Sequence, residues 1–289
     1  MEESRKIPPA PWRALSRCVM LLALLTLFAC LPRERYLFST DRTIGFPAPS
    51  TGLAFEEVVF PARDGCQLYG RYLPGPPGRP LVLYLYGTGT NLSHLTEPLR
   101  LLQGMEASIF VFDYRGYGQS AGEPSERGTY DDARGALDYL RSRGWEPGST
   151  IYYGHSLGAA VALQLALEEP PAGLVLESPF TSVLAMICHH VPFSCDLLRQ
   201  AYGRYYDNLA KIGRIHAPLL IFQGERDTIV PVEMARQLFA RANEPKYMHI
   251  LPGASHSDLY LTGGLPYRES WRTFIDQAAA QKQQKAAVR

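Results

Sequence analysis

Residues 154–158 read Gly-His-Ser-Leu-Gly. They follow Ile151-Tyr152-Tyr153, a β-branched and aromatic run that suits a short buried strand, and precede the Ala- and Leu-rich stretch 159–167, which suits a helix. A strand that turns at once into a helix leaves one or two residues for the corner. Such a corner strains the backbone of Ser156 and needs small residues where strand and helix approach. Gly154 and Gly158 stand at those two places, and the serine hydroxyl is presented at a helix N-terminus as a nucleophile. The motif is not decisive alone: with Gly and Ser each near 7% of residues, a chain of this length gives roughly 0.1 chance matches.

A serine nucleophile needs a base, and the base needs an orienting acid. There are seven histidines. His256 alone lies in a loop of small residues, Pro252-Gly253-Ala254-Ser255-His256-Ser257-Asp258, directly after the last strand-like run. His155, beside the nucleophile, points away from it in a corner of this kind. For the acid, residues 224–231 read Gly-Glu-Arg-Asp-Thr-Ile-Val-Pro after another strand-like run. Asp227 is the expected partner of His256; Glu225 sits closer to the strand and is better placed to pair with Arg226 or face solvent. The loop Gly87-Thr88-Gly89-Thr90-Asn91 follows a third run. There a backbone N–H, with Thr88 as the expected donor, can share a developing oxyanion with the N–H of Leu157.

The elements that must hold these groups recur along the chain. Residues 55–60 and 67–73 flank Ala62-Arg63-Asp64-Gly65, an Asp-Gly hairpin signal. Residues 81–86, 109–113, 173–177 and 219–223 are apolar on both faces, as strands inside a parallel sheet are, and 247–251 adds one more. Between them, 129–143, 232–242 and 267–281 carry helical spacing. This alternation predicts an α/β fold, a mostly parallel central sheet with helices on both faces, whose ligand crevice lies at the carboxyl ends of the strands. Each cluster named above follows directly after one of these strands, so the clusters converge on one site. Residues 178–208 interrupt the alternation and are rich in Phe, His, Tyr and Cys.

The order Ser156, Asp227, His256 is that of an α/β-hydrolase triad. From about residue 55 to 275 the chain resembles the small serine hydrolases of that superfamily and is similar to their depalmitoylase-like branch. DYRGYGQSAG, GHSLG, SPFTS, GERDTIVP and a final G-x-x-H-x-D-L match in order and spacing. The resemblance implies a short cap at 178–208, with Phe180, Phe193 and Tyr202 as substrate-binding residues; the other reading of this stretch is a surface helix pair. One departure stands out. The family has His-Gly before its oxyanion loop, and this chain has Tyr86-Gly87.

The chain has 289 residues, 46% of them apolar, and a formal charge of +1 with both signs interspersed. Nothing marks it as a nucleic-acid partner, and no Cys/His cluster has metal spacing. The expected partner is a small-molecule or acylated substrate, and the acyl transfer needs no metal or organic cofactor. Residues 1–17 are polar and basic, and 18–31 form an unbroken apolar run, short for a bilayer span and of signal-peptide length. Leu27-Phe28-Ala29-Cys30 resembles the bacterial lipobox. The expectation is a signal peptide or membrane anchor over 1–30 with lipidation at Cys30 and a membrane-associated location outside the cytoplasm, an uncleaved anchor being the alternative. A lead-in tether over 31–54, a hydrolase domain over 55–281 and a tail over 282–289 complete the division. Cys188 and Cys195 pair only if Pro192 breaks the chain between them; free thiols are equally compatible. The sequence thus predicts an ester or thioester hydrolase. A peptidase with the same triad and a non-catalytic binding protein of the same fold remain the alternatives.

Overall fold

The structure is a computed structural model that describes Glu34, Leu37, residues 38–45 and residues 52–287. In chain order the elements are β1 (Glu56–Pro61), β2 (Gln67–Leu73), β3 (Leu81–Leu85), α1 (Thr96–Gln103), β4 (Ser108–Phe112), α2 (Glu126–Ser142), β5 (Thr150–His155), α3 (Leu157–Glu168), β6 (Gly173–Glu177), α4 (Val183–His190), α5 (Cys195–Tyr202), α6 (Asn208–Ile212), β7 (Leu219–Gly224), α7 (Val232–Arg241), β8 (Lys246–Leu251), α8 (Leu259–Thr262) and α9 (Gly264–Ala287). The eight strands form one sheet in the order β1-β2-β4-β3-β5-β6-β7-β8. The pairs β1/β2 and β2/β4 are antiparallel, and every pair from β4 to β8 is parallel. This is the α/β-hydrolase fold, with helices flanking a mostly parallel sheet and a helical cap between β6 and β7.

Burial follows the role of each strand. Every residue of β3, β4 and β6 is buried, which is why these runs are apolar apart from Ser108 and Glu177 at their ends, whereas the edge strand β1 buries only alternate residues. Helix α2 starts where Ser125 accepts a hydrogen bond from the Gly128 N–H and turns Ala133, Ala136, Leu137 and Leu140 inward. Helix α9 buries Tyr267, Trp271, Phe274 and Ile275, at helical spacing, against the sheet. It begins at Gly264, before the expected start, because Pro266 falls in its first turn, where the missing N–H has no intrahelical acceptor in any case.

The lead-in contributes to the same compact unit, which runs from Phe38 onward. Phe38 is buried, the Gly118 N–H donates to the Asp41 carbonyl, and the buried Asn91 amide donates to the carbonyls of Asp41 and Thr43. The expected membrane attachment, and the membrane-associated location that went with it, are corrected on one finding. Among the described residues, no helix is long and apolar enough to cross a membrane. Residues 18–31 and Cys30, on which the signal-peptide, lipoprotein and anchor expectations rested, lie outside the described residues.

Candidate active site

The corner between β5 and α3 places Ser156 at φ 53°, ψ −115°, a conformation that costs a non-glycine residue of order 1–3 kcal/mol. Packing on both sides enforces it. A Cβ on Gly158 would collide with the Leu85 and Tyr86 carbonyls at the end of β3, and one on Gly154 with the backbone of Gly158 and Ala159. The Ser156 N–H donates to the Glu177 carbonyl at 2.9 Å, which ties the corner to β6.

Three chain segments meet at the serine. His256, in the loop after β8, sets Nε2 3.0 Å from Ser156 Oγ and Nδ1 2.8 Å from Asp227 Oδ2. Asp227, in the loop after β7, is 8% exposed, whereas Glu225 faces solvent. The N–H groups of Ile229 and Val230 donate to Asp227 Oδ1, and the Gln223 amide donates to Oδ2. Burial opposes the charge on Asp227, but the His256 hydrogen bond and field together with these backbone donors outweigh it and hold the carboxyl below its ordinary range. A carboxylate fixed on Nδ1 leaves Nε2 unprotonated toward the serine, the tautomer a general base requires.

The loop after β3 lies against this group. Gly87 packs so tightly on His155 and Ser156 that a Cβ there would stand 3.1 Å from the serine Cβ. The next residue is Thr88, whose side chain accepts from the Ser39 N–H at 2.9 Å and lies 2.8 Å from the Tyr117 hydroxyl. The Gly89 N–H donates to the Ser39 carbonyl. Tyr86, in place of the family's histidine, is fully buried and donates to Asp113 Oδ1 at 2.8 Å; the same carboxylate accepts from the Leu92 and Gln119 N–H groups. The loop thus has side-chain support of another kind. Leu157 opens α3, where the first N–H groups have no acceptor a full turn back, and the Ala159 N–H turns to the Ser156 carbonyl.

The cap distributes the three expected substrate residues differently. Phe180 is buried beside Tyr206 at 6.3 Å between ring centroids, and Tyr202 is half-buried beside Tyr205 at 6.1 Å. Phe193 is 92% exposed and so packs on neither of the other two. The reason is local: α4 ends at His190, Pro192 opens a single 3-10 turn, and a Cys188–Cys195 disulfide with a Cα separation of 4.8 Å closes the hairpin with Phe193 at its tip. Neither α4 nor α5 has a buried residue. Helix α4, reading VLAMICHH, packs beside α5 and leaves Val183 to Ile187 half-exposed.

Sequence reasoning missed the groups that hold the histidine loop. His155 Nε2 lies 2.9 Å from the His256 carbonyl, and Ser178 Oγ donates to the same carbonyl at 3.2 Å. Asp258 accepts from the Ser255 N–H, closing the turn around His256. Ser178 follows β6 directly, and the strand-end rule that picked out Asp227 and His256 would have found it. Among the described residues, no group of three or more His, Cys, Asp or Glu is placed to hold a metal ion.

Two of the neighbouring groups make stability respond to pH in opposite senses. Desolvation, with the nearby His256, pushes His155 down from 6.5 to about 4. Between those values the unfolded chain holds a proton that the folded chain refuses, so this contribution is complete above pH 6.5 and is lost as pH falls toward 4, at up to about 1.4 kcal/mol per unit. Burial pushes Glu177 up from 4.5 to about 7, so its contribution is lost as pH rises between those values. The two slopes offset each other where they overlap. His155→Gln, which can still donate to the His256 carbonyl, removes only the first. Its stability relative to the wild type, from urea unfolding, is expected to rise as pH falls from 6.5 to 4; a constant difference contradicts the assignment.

A protein-family model described as "Serine aminopeptidase, S33" matches residues 76–210 and 185–260. The uncharacterized protein Rv2307c of Mycobacterium tuberculosis is 38% identical over 239 residues, which cover 81% of this chain and 84% of that protein. The uncharacterized protein YfhR of Salmonella typhimurium is 30% identical over 292 residues, covering 93% and 98%. Among solved structures, the esterase Pf2001 of Pyrococcus furiosus shares the fold with a TM-score of 0.69 at 19% identity, over 83% of this chain and 97% of that one.

Proposed function

Because the chain belongs to the serine aminopeptidase S33 family of the α/β-hydrolase superfamily, we propose that it cleaves carboxylic esters or thioesters through an acyl-enzyme on Ser156. His256 Nε2 takes the Ser156 proton as Oγ attacks the acyl carbon, and Asp227 holds the imidazolium that forms. The N–H groups of Leu157 and Thr88 receive the oxyanion. The tetrahedral species collapses as His256 returns the proton to the leaving oxygen or sulfur. A water deprotonated by His256 then attacks the acyl-enzyme and releases the acid and the free serine. The observation that carries this reading is the unbroken hydrogen-bonded line from Asp227 through His256 to Ser156, at 2.8 and 3.0 Å.

The half-exposed apolar side chains of α4 favour an acyl group over a polar one at the mouth of the site. Cleavage of an amide behind a free amino terminus is the second reading, favoured by the description of the matching family. Aminoacyl p-nitroanilides assayed beside p-nitrophenyl esters separate the two.

A cap built from two short helices without a buried residue forms a wall and not a tunnel. Each buried methylene contributes about 0.8 kcal/mol, so kcat/KM is expected to rise by up to about fourfold per carbon and to level off once carbons extend past α4 into water. A p-nitrophenyl series from acetate to palmitate, kept below micelle formation, measures this. An unbroken climb to palmitate contradicts the open wall and makes the chain a depalmitoylase-like enzyme. Phe193→Ala is expected to leave the profile unchanged.

A further inference from the structure

Behind the loop that carries Thr88, next to the site, is a cavity of about 230 Å³. That loop is one wall; the others include Tyr84, Tyr86, Tyr153, His155, Glu177 and Tyr260. Glu177 ends β6 and is 2% exposed. Its Oε2 accepts hydrogen bonds from the Tyr153 and Tyr267 hydroxyls, each at 2.9 Å, while Oε1 accepts none among the described residues. The lining contains neither Lys nor Arg. A buried carboxylate is costly to hold without an opposite charge, and here the protein supplies only neutral phenols around one oxygen.

We propose that this cavity binds a small organic ammonium group between the Glu177 carboxylate and the surrounding tyrosine rings. The ammonium supplies the missing positive charge. Size sets the limit. A space of about 230 Å³ admits a group the size of choline. His155, pushed down to about 4, and Tyr84, Tyr153, Tyr260 and Tyr267, all pushed up by burial, stay neutral at working pH. Glu177, driven up to about 7 by burial against the opposing tyrosine bonds and the His256 field, exchanges its proton for the cation. Binding therefore tightens with rising pH, by up to about tenfold per unit below 7, and levels off above it. His94 lines the same space and the field of His256 reaches Glu177, and the Glu177→Gln variant separates their contribution from that of the carboxylate.

Calorimetric titration of the full chain with choline, and with its neutral isostere 3,3-dimethylbutan-1-ol, tests the proposal without any turnover. Choline is expected to bind at least about tenfold more tightly than the isostere and more tightly at pH 8 than at pH 6. Glu177→Gln, which keeps a side chain of the same shape, is expected to lose both the tenfold advantage and the pH dependence. Ser156→Ala is expected to bind choline as the wild type does, so a failure of the hydrolase reading leaves this result standing. No choline binding to the folded wild type, equal affinity for the isostere, or undiminished binding to folded Glu177→Gln would each overturn the proposal. If Glu177→Gln does not fold, the choline-to-isostere ratio on the wild type decides.

Discussion

Ser156→Ala is expected to lower kcat/KM for a short p-nitrophenyl ester by about 10⁴-fold or more while leaving the fold intact. The side chain lost is one oxygen, at a corner whose backbone is already fixed by Gly154, Gly158 and the Ser156 N–H bond to the Glu177 carbonyl. Stability should shift little, because alanine suits this strained corner no worse than serine does. Without Oγ no acyl-enzyme forms, and the remaining rate comes from oxyanion binding and proximity alone. His256→Ala is expected to cost about as much, and the double variant little more than either. Residues that act as one unit are far from additive. An additive double variant would mean that His256 serves something other than Ser156.

Asp227→Asn is the second large effect, about 10⁴-fold in kcat. The amide keeps an oxygen for the Ile229 and Val230 N–H groups but can turn an NH₂ toward His256 Nδ1. That selects the tautomer with the proton on Nε2, which cannot accept from the serine. The same NH₂ opposes the Gln223 amide, now 3.0 Å from Oδ2, so urea unfolding should show a loss of about 1–2 kcal/mol. Glu225→Gln, on an exposed side chain, should change neither activity nor stability. A collapse of activity in Glu225→Gln, with Asp227→Asn near normal, would reassign the acid.

Much of this site can be read from residue order because strand ends impose it. Once runs of apolar residues define parallel strands, whatever follows each strand must emerge on the same edge of the sheet, which is how Thr88, Ser156, Asp227 and His256 come within reach of one another. Features that depend on where a helix starts were less legible. Helix α1 carries Pro98 and α9 carries Pro266, and a proline reads as an interruption until the start of the helix is known; both fall in a first turn. Phe193 reads as one of three substrate-binding aromatics of the cap, and its near-complete exposure follows from a chain reversal at Pro192 and a disulfide whose two cysteines the sequence left as paired or free. Support for the loop after β3 was invisible for another reason. Ser39, Thr88 and Tyr117 meet across 49 and 29 positions of chain, and nothing in their types or spacing announces the contact.

The central claim is that Ser156 is a nucleophile activated by His256. Intact-mass and peptide-level mass spectrometry after treatment with a fluorophosphonate measures it most directly, because the reagent reacts with a serine whose proton is being removed. The wild type is expected to gain one phosphonyl group, mapped to Ser156, and Ser156→Ala and His256→Ala are expected to gain none. A folded wild type that gains no mass, or a Ser156→Ala chain that is labelled as fully as the wild type, would contradict it.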